Sequence, residues 1–266
     1  MLTDITLGQY FPGNSFLHRL DPRIKIIATM IVIISVFLAK SFLSYAVLTA
    51  FIVFSYLLSR LPAGNVFKSL KPLWGIIFFT MAVHLFTTPG EALCQYGIIH
   101  ITKEGIRQGV LMTLRLVYLI VFSSLLTYTT SPIVLTDGIE HLLNPFKRIG
   151  VPAHELAMMM TIAMRFIPTL LEETDRIMKA QTARGANFTT GSLWQRGKNM
   201  VPLLVPLFIS AFRRADDLAT AMESRCYRGG EGRTRLHELA CTWRDGAALC
   251  GVISVTGVLA VLRWLI

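Results

Sequence analysis

The chain has 266 residues, of which 53% are apolar and only 16% charged, with a mean hydropathy of +0.55. That balance excludes an ordinary soluble globular class. The formal net charge of +10 would suit nucleic acid, but the placement of the charge excludes that partner: 15 Lys and Arg stand against 9 Asp and Glu between Pro145 and Arg244, while the long apolar segments before them hold almost none.

The opening MLTDITLGQYFPGNS is polar and marked by Gly and Pro, which does not fit a removable signal peptide. A membrane-spanning helix needs about 20 mainly apolar residues. The first candidate is Ile26 to Ala39, lengthened at its start by Ile24 and Lys25, and a short Lys-Ser turn leads to the second, Phe42 to Ser59. The third, Leu73 to Thr88, is short; the fourth runs from Gly109 to Thr130, and a fifth, Ala247 to Ile266, follows much later. His84 lies in the third span and reads as a structural histidine, and Arg115 lies in the fourth, where an internal polar contact or snorkelling explains it. Cys94, Cys226, Cys241 and Cys250 show neither CxxC spacing nor a pairing with histidine, so they read as reduced or buried thiols rather than a disulfide framework or a zinc site.

Basic loops alternate along these spans. Arg19, Arg23 and Lys25 flank the first, and Arg60, Lys68 and Lys71 separate the second from the third, whereas the intervening turn has only Lys40 and Pro89–Gln108 is a charge-balanced loop. The alternation predicts a cytoplasmic N-terminus and a cytoplasmic 145–244 region, and five spans would leave the C-terminus outside.

The 145–244 region holds two long helical patterns. The first, HELAMMMTIAMRFIPTLLEETDRIMKAQTAR, starts after Pro152, is apolar in its first half, turns amphipathic, and carries Pro168, which should kink it. The second, about Ser192 to Tyr227, contains the apolar stretch Val201–Phe212, interrupted by Pro202 and Pro206 and too short to span. Helices of this kind can lie along the membrane face or pack beneath a bundle, the alternative being a buried re-entrant hairpin. Met158, Met159, Met160, Met164, Met178 and Met222 offer adaptable apolar surface for a partner or for lipid.

Both patterns end alike. Ala183-Arg184-Gly185 and, 41 residues later, Ser224-Arg225-Cys226 each place one arginine between small residues, with Gly229 and Gly230 close behind the second. Such an end can present a guanidinium, five donors in a fixed fork, to a docking surface. The competing reading is an arginine turned back on the last carbonyls of its own helix beside an ordinary glycine cap. The repetition favours two docking points and hence a two-lobed or dimeric soluble partner. No GxxxxGK[ST] or GxGxxG occurs, so the chain should not hydrolyse ATP. The run Arg228–Arg233 reads as a return loop, and Asp216-Asp217 lacks the second acidic cluster that a metal-diphosphate enzyme would need.

The segments LGQYFPGNSFLHRLDPRIKI, GIRQGVLMTLRLVYLIVFSSLLTYTT, MRFIPTLLEETDRIMKAQTARG and DDLATAMESRCYRGG resemble the CbiQ/EcfT family, the transmembrane coupling components of energy-coupling factor (ECF) importers for vitamins and metals, over nearly the whole chain. The resemblance implies an all-α polytopic integral membrane protein with about five transmembrane helices and long kinked cytoplasmic coupling helices, in a bacterial cytoplasmic membrane. It implies residues 1–23 as a cytoplasmic segment, 24–130 as four spans, 131–244 as coupling helices and 245–266 as the last span. It implies that Ala183, Arg184, Gly185, Ser224, Arg225 and Cys226 dock on a pair of ABC-type ATPases (EcfA and EcfA′), with Pro168, Pro202 and Pro206 as helix elbows. ATP and Mg would be bound by those ATPases, with no catalytic, cofactor or metal site on this chain. A separate substrate-binding S component in the membrane would choose the cargo. The flanks of Arg225 depart from the family's Ala-Arg-Gly pattern. A conventional ABC-importer permease and an integral-membrane lipid or prenyl-transfer enzyme using Asp216 and Asp217 are the alternatives.

Overall fold

A computed structural model describes residues 10–62, 64–96, 99–188, 192–229 and 239–265. The described residues fall into two compact units, one within Gly8–Gly138 and Glu238–Ile266, the other within Ile139–His237.

The first unit is a helix bundle. Its α1 (Pro22–Leu38) begins where the Asp21 carboxylate accepts the Arg23 N–H at 2.9 Å, with Pro22 at the first helical position, where its missing N–H costs nothing. Ser41 caps α2 (Phe42–Ser59), whose bounds match the sequence reading. The short α3 (Gly64–Leu70) passes through a 3-10 turn at Lys71–Leu73 into α4 (Trp74–Thr87), so the third apolar segment is longer than its hydropathy suggests. After α5 (Lys103–Thr129) comes α6 (Pro132–Leu143), and α9 (Trp243–Leu265) returns to the bundle. Four helical runs are long and apolar enough to cross a membrane among the described residues: Phe42–Ser59, Gly64–Thr87, Lys103–Thr129 and Trp243–Leu265. The 17 residues of α1 rise about 25 Å, at the lower limit of a span.

Val32 and Val36 of α1, Tyr45 and Leu48 of α2, Phe122 of α5 and Leu259 of α9 form the core. Hydroxyls bridge the same interfaces: Ser35 Oγ lies 2.7 Å from Thr256 Oγ1, and Thr49 pairs with the Tyr118 hydroxyl. In lipid, where tails are as apolar as leucine, such small residues and hydroxyl pairs hold helices together. The α4 helix has no buried residue, and Phe78 is 77% exposed, as a lipid-facing helix should be.

One close contact explains how α4 stays attached. Gly105 and Gly109, four residues apart on α5, face α4 so tightly that a Cβ at Gly105 would lie 3.0 Å from the His84 carbonyl oxygen and 3.2 Å from that of Leu85. Arg115 also finds an internal contact, donating to the Ala39 carbonyl at 3.2 Å and stacking over Phe37.

The loop expected over Pro89–Gln108 is more ordered than that reading. Ala92–Tyr96 (β1) pairs antiparallel with Ile99–Thr102 (β2), with a bulge between Ala92 and Cys94, and α5 starts at Lys103 because Thr102 Oγ1 accepts the Gly105 N–H at 3.0 Å. This hairpin is a local addition to an all-helical membrane bundle.

In the second unit, α7 (Ala153–Ala183) and α8 (Leu193–Ser224) each run unbroken through their internal prolines, Pro168 in the first and Pro202 and Pro206 in the second. They pair antiparallel: His154 at the start of α7 meets Tyr227 just beyond α8, Glu173 meets Arg214 near the middle, and Asn187 beyond α7 meets Asn199 near the start of α8.

Candidate functional site

The two arginine motifs occupy equivalent positions in two copies of one backbone motif. At the end of α7, the Gly185 N–H donates to the Thr182 carbonyl at 2.9 Å and the Ala186 N–H to the Gln181 carbonyl at 2.9 Å. At the end of α8, the Cys226 N–H donates to Glu223 at 2.9 Å and the Tyr227 N–H to Met222 at 3.0 Å. Each is a complete Schellman motif, a paired bond that satisfies the last carbonyls of a helix. Arg184 and Arg225 sit at the same place in it, at φ −86°, ψ 6° and φ −91°, ψ 13°.

The residue after each arginine reverses the chain through the left-handed region, Gly185 at φ +90° and Cys226 at φ +55°. Glycine adopts this freely, whereas an L side chain pays about 1–2 kcal/mol. The flanks that differ in sequence are therefore alike in backbone and unlike in strain.

Ala183, Arg184, Gly185, Ser224, Arg225 and Cys226 are all exposed. Neither guanidinium makes a hydrogen bond or ion pair among the described residues, so the arginines are not turned back on the carbonyls of their own helices; the backbone N–H groups do that work. Tyr227 sits beside His154 at the start of α7, and α7 rises about 46 Å from there to Ala183. The two arginines thus stand at opposite ends of the helix pair, on the order of 40 Å apart.

Both ends are tied down. The His154 ring reaches Glu140 Oε1 through Nδ1 at 3.1 Å and the Tyr227 hydroxyl through Nε2 at 3.4 Å, so one ring joins α6, α7 and the residue beyond α8. Asn199 Nδ2 donates to the Asn187 carbonyl at 2.7 Å. The sequence reading missed this tether; its signal is a tyrosine two residues past the capping arginine, where a Schellman motif commonly places an apolar contact. Met158, Ile162, Leu218 and Met222 line a cleft beside Arg225, while Met159 and Met160 are exposed.

Asp216 and Asp217 are exposed on α8. Cys226, Cys241 and Cys250 are free, and exposed rather than buried. The return loop expected over Arg228–Arg233 lies outside the described residues from Gly230 onward, as do residues 1–9 of the N-terminal segment.

The CbiQ family, described as cobalt transport protein, matches residues 13–236. The chain belongs to the CbiQ/EcfT family. It is 64% identical over 264 residues to the energy-coupling factor transporter transmembrane protein EcfT of Acidaminococcus fermentans, covering 99% of this chain and 98% of that relative. The proteins of the same name from Brevibacillus brevis and Bacillus subtilis are 54% and 48% identical, over 99% of this chain in both cases and 99% and 100% of the relatives. The chain is therefore an EcfT-type transmembrane component of an energy-coupling factor transporter.

Proposed function

We propose that this EcfT-type chain is the coupling subunit of an ECF importer, carrying ATP-driven motion of an ATPase pair to a separate substrate-binding membrane subunit. The reading rests on one observation: two exposed guanidinium groups without a partner among the described residues, in matching caps, at opposite ends of one antiparallel helix pair. Arg184, flanked by Ala183 and Gly185, docks on one ATPase, and Arg225, flanked by Ser224 and Cys226, on the other. A pair held at both ends converts closure of the ATPases into a change of angle between α7 and α8. Pro168, Pro202 and Pro206, each lacking an N–H for the helix ladder, are the elbows at which that change is taken up.

The exposed apolar surface of α8, with Val205, Phe208 and Phe212 all at least 52% exposed, is the face that meets the binding subunit or lipid. ATP and Mg belong to the ATPases, and the binding subunit selects a vitamin or a transition metal. In this reading the chain sits in the bacterial cytoplasmic membrane with its N-terminus and the 131–244 region on the cytoplasmic side, the spans being 24–130 and 245–266.

Truncating a desolvated, hydrogen-bonded charge typically costs about 2–5 kcal/mol of binding. Arg184→Ala or Arg225→Ala should each weaken recovery of the ATPase pair with the chain and slow uptake, with membrane insertion intact, and the double variant should abolish both. Full ATP-driven uptake by the double variant would refute the assignment.

A further inference from the structure

A second group of arginines, unpartnered among the described residues, lies at one end of the membrane bundle, in the unit that lacks the coupling helices. Arg19 precedes α1, Arg60 ends α2 and Arg244 is the second residue of α9, and the three line one pocket whose apolar wall is Phe16, Phe54, Leu57 and Leu58. None of the three guanidinium groups has an ion pair or a hydrogen bond among the described residues. Among the described residues, no carboxylate lines the pocket. The neighbouring Asp245 is 2% exposed and already accepts from the Asp21 N–H, the Thr242 N–H and the Thr242 hydroxyl, each at 2.7 Å, and Asp21 is held by Arg23.

Arg60 carries an independent signal. It is in the left-handed region at φ +54°, a cap position where glycine would be free of strain, yet the chain places a long basic side chain there. The pocket also continues into apolar space. Phe16, Phe54 and Leu58 are shared with a cavity of about 290 Å³ that runs down between the helices past Ala28, Leu126 and Gly251. Trp243, 77% exposed beside Arg244, marks the level of the membrane–water interface.

A cluster of like charges at the interface, opening onto an apolar groove of the spanning bundle, matches a molecule with an anionic head and an apolar tail. We propose that this is a binding site for an anionic phospholipid. Its headgroup phosphate is held by Arg19, Arg60 and Arg244, and one acyl chain lies in the groove past Phe54 and Leu58. Three arginines with no counter-ion among the described residues favour a lipid of net negative charge over a zwitterionic one, whose own ammonium already answers its phosphate. The site does not depend on ATPase docking.

The test uses the full chain alone, purified in detergent, with native mass spectrometry of bound dioleoylphosphatidylglycerol or dioleoylphosphatidylcholine. The phosphatidylglycerol adduct should survive with at least roughly tenfold higher affinity than the phosphatidylcholine adduct, and Arg19→Gln/Arg60→Gln/Arg244→Gln should remove that preference. The single change Arg60→Gly relaxes the cap, so it keeps the fold while still losing affinity for phosphatidylglycerol several-fold. Leu58→Trp, which fills the groove, should weaken both lipids. Equal binding of the two lipids, or a triple variant and Arg60→Gly that both bind phosphatidylglycerol like the parent, would overturn the proposal. Displacement of the lipid by equimolar inorganic phosphate would reduce the site to one for small anions, and displacement by an equimolar polyglutamate peptide would assign it to an acidic protein segment; either result overturns the lipid.

Discussion

The asymmetry between the two caps can be measured directly. Gly185 stands at φ +90°, and a Cβ built on it meets no atom within 4 Å, so Gly185→Ala changes the backbone preference and nothing else. An L residue in the left-handed region costs about 1–2 kcal/mol. If that cost falls on the folded cap, the two N–H bonds that close it, Gly185 to Thr182 and Ala186 to Gln181, open about 5- to 30-fold more often. Amide exchange at Ala186 should accelerate by that factor, while exchange in the middle of α7 is unchanged. The reverse experiment is Cys226→Gly, which removes an existing strain at φ +55° and should slow exchange of the Tyr227 amide, donor to Met222. Unchanged exchange at Ala186 in Gly185→Ala, together with unchanged exchange at Tyr227 in Cys226→Gly, would show that the left-handed residue does not govern these caps. The matching backbone caps would then not be what fixes the positions of Arg184 and Arg225 at the helix ends.

Two further outcomes concern the bundle. Gly105→Ala should destabilise the start of α5 and its contact with α4 by about 1–3 kcal/mol, because the new methyl would lie 2.8 Å from the Thr102 capping hydroxyl and meet the rigid His84 and Leu85 carbonyls. Gly109→Ala should cost less, because its nearest neighbour is the movable Met81 sulfur at 3.0 Å; thermal unfolding in detergent ranks the two, and the opposite order would refute the packing account. Asp245→Ala leaves the Asp21 N–H and the Thr242 N–H and hydroxyl without their buried acceptor, so the junction between α9 and the start of α1 should lose about 3 kcal/mol, read as a lower unfolding midpoint.

Much of the bundle was legible because its signals are local. The Lys40-Ser41 turn and the uninterrupted apolar run after it set α2 to the residue, whereas α1 starts at Pro22, ahead of the apolar run from Ile24 where the sequence reading began it, because Asp21 and Pro22 open the helix before its apolar face starts. The third apolar segment was read too short because Lys71-Pro72 looks like a stop, whereas proline is tolerated in the first turn of a new helix and a 3-10 turn carries the chain through it. The hairpin was taken for a loop although Ile99-His100-Ile101-Thr102 alternates with the period of a strand; next to long spans, a charge-balanced loop hides so short a signal. The paired arginines were legible by position and the relation between them was not. Read as letters, Ala-Arg-Gly and Ser-Arg-Cys are unlike at both flanks. A Schellman motif is defined by which N–H meets which carbonyl, and Cys226 meets that requirement at the cost of strain. Equivalence between the ends is thus a property of the backbone, and the difference between them is energetic: the α7 end is relaxed and the α8 end is held partly by the Tyr227–His154 contact. If the two ends meet two different ATPases, the strained one is the one whose local geometry a partner can most readily alter.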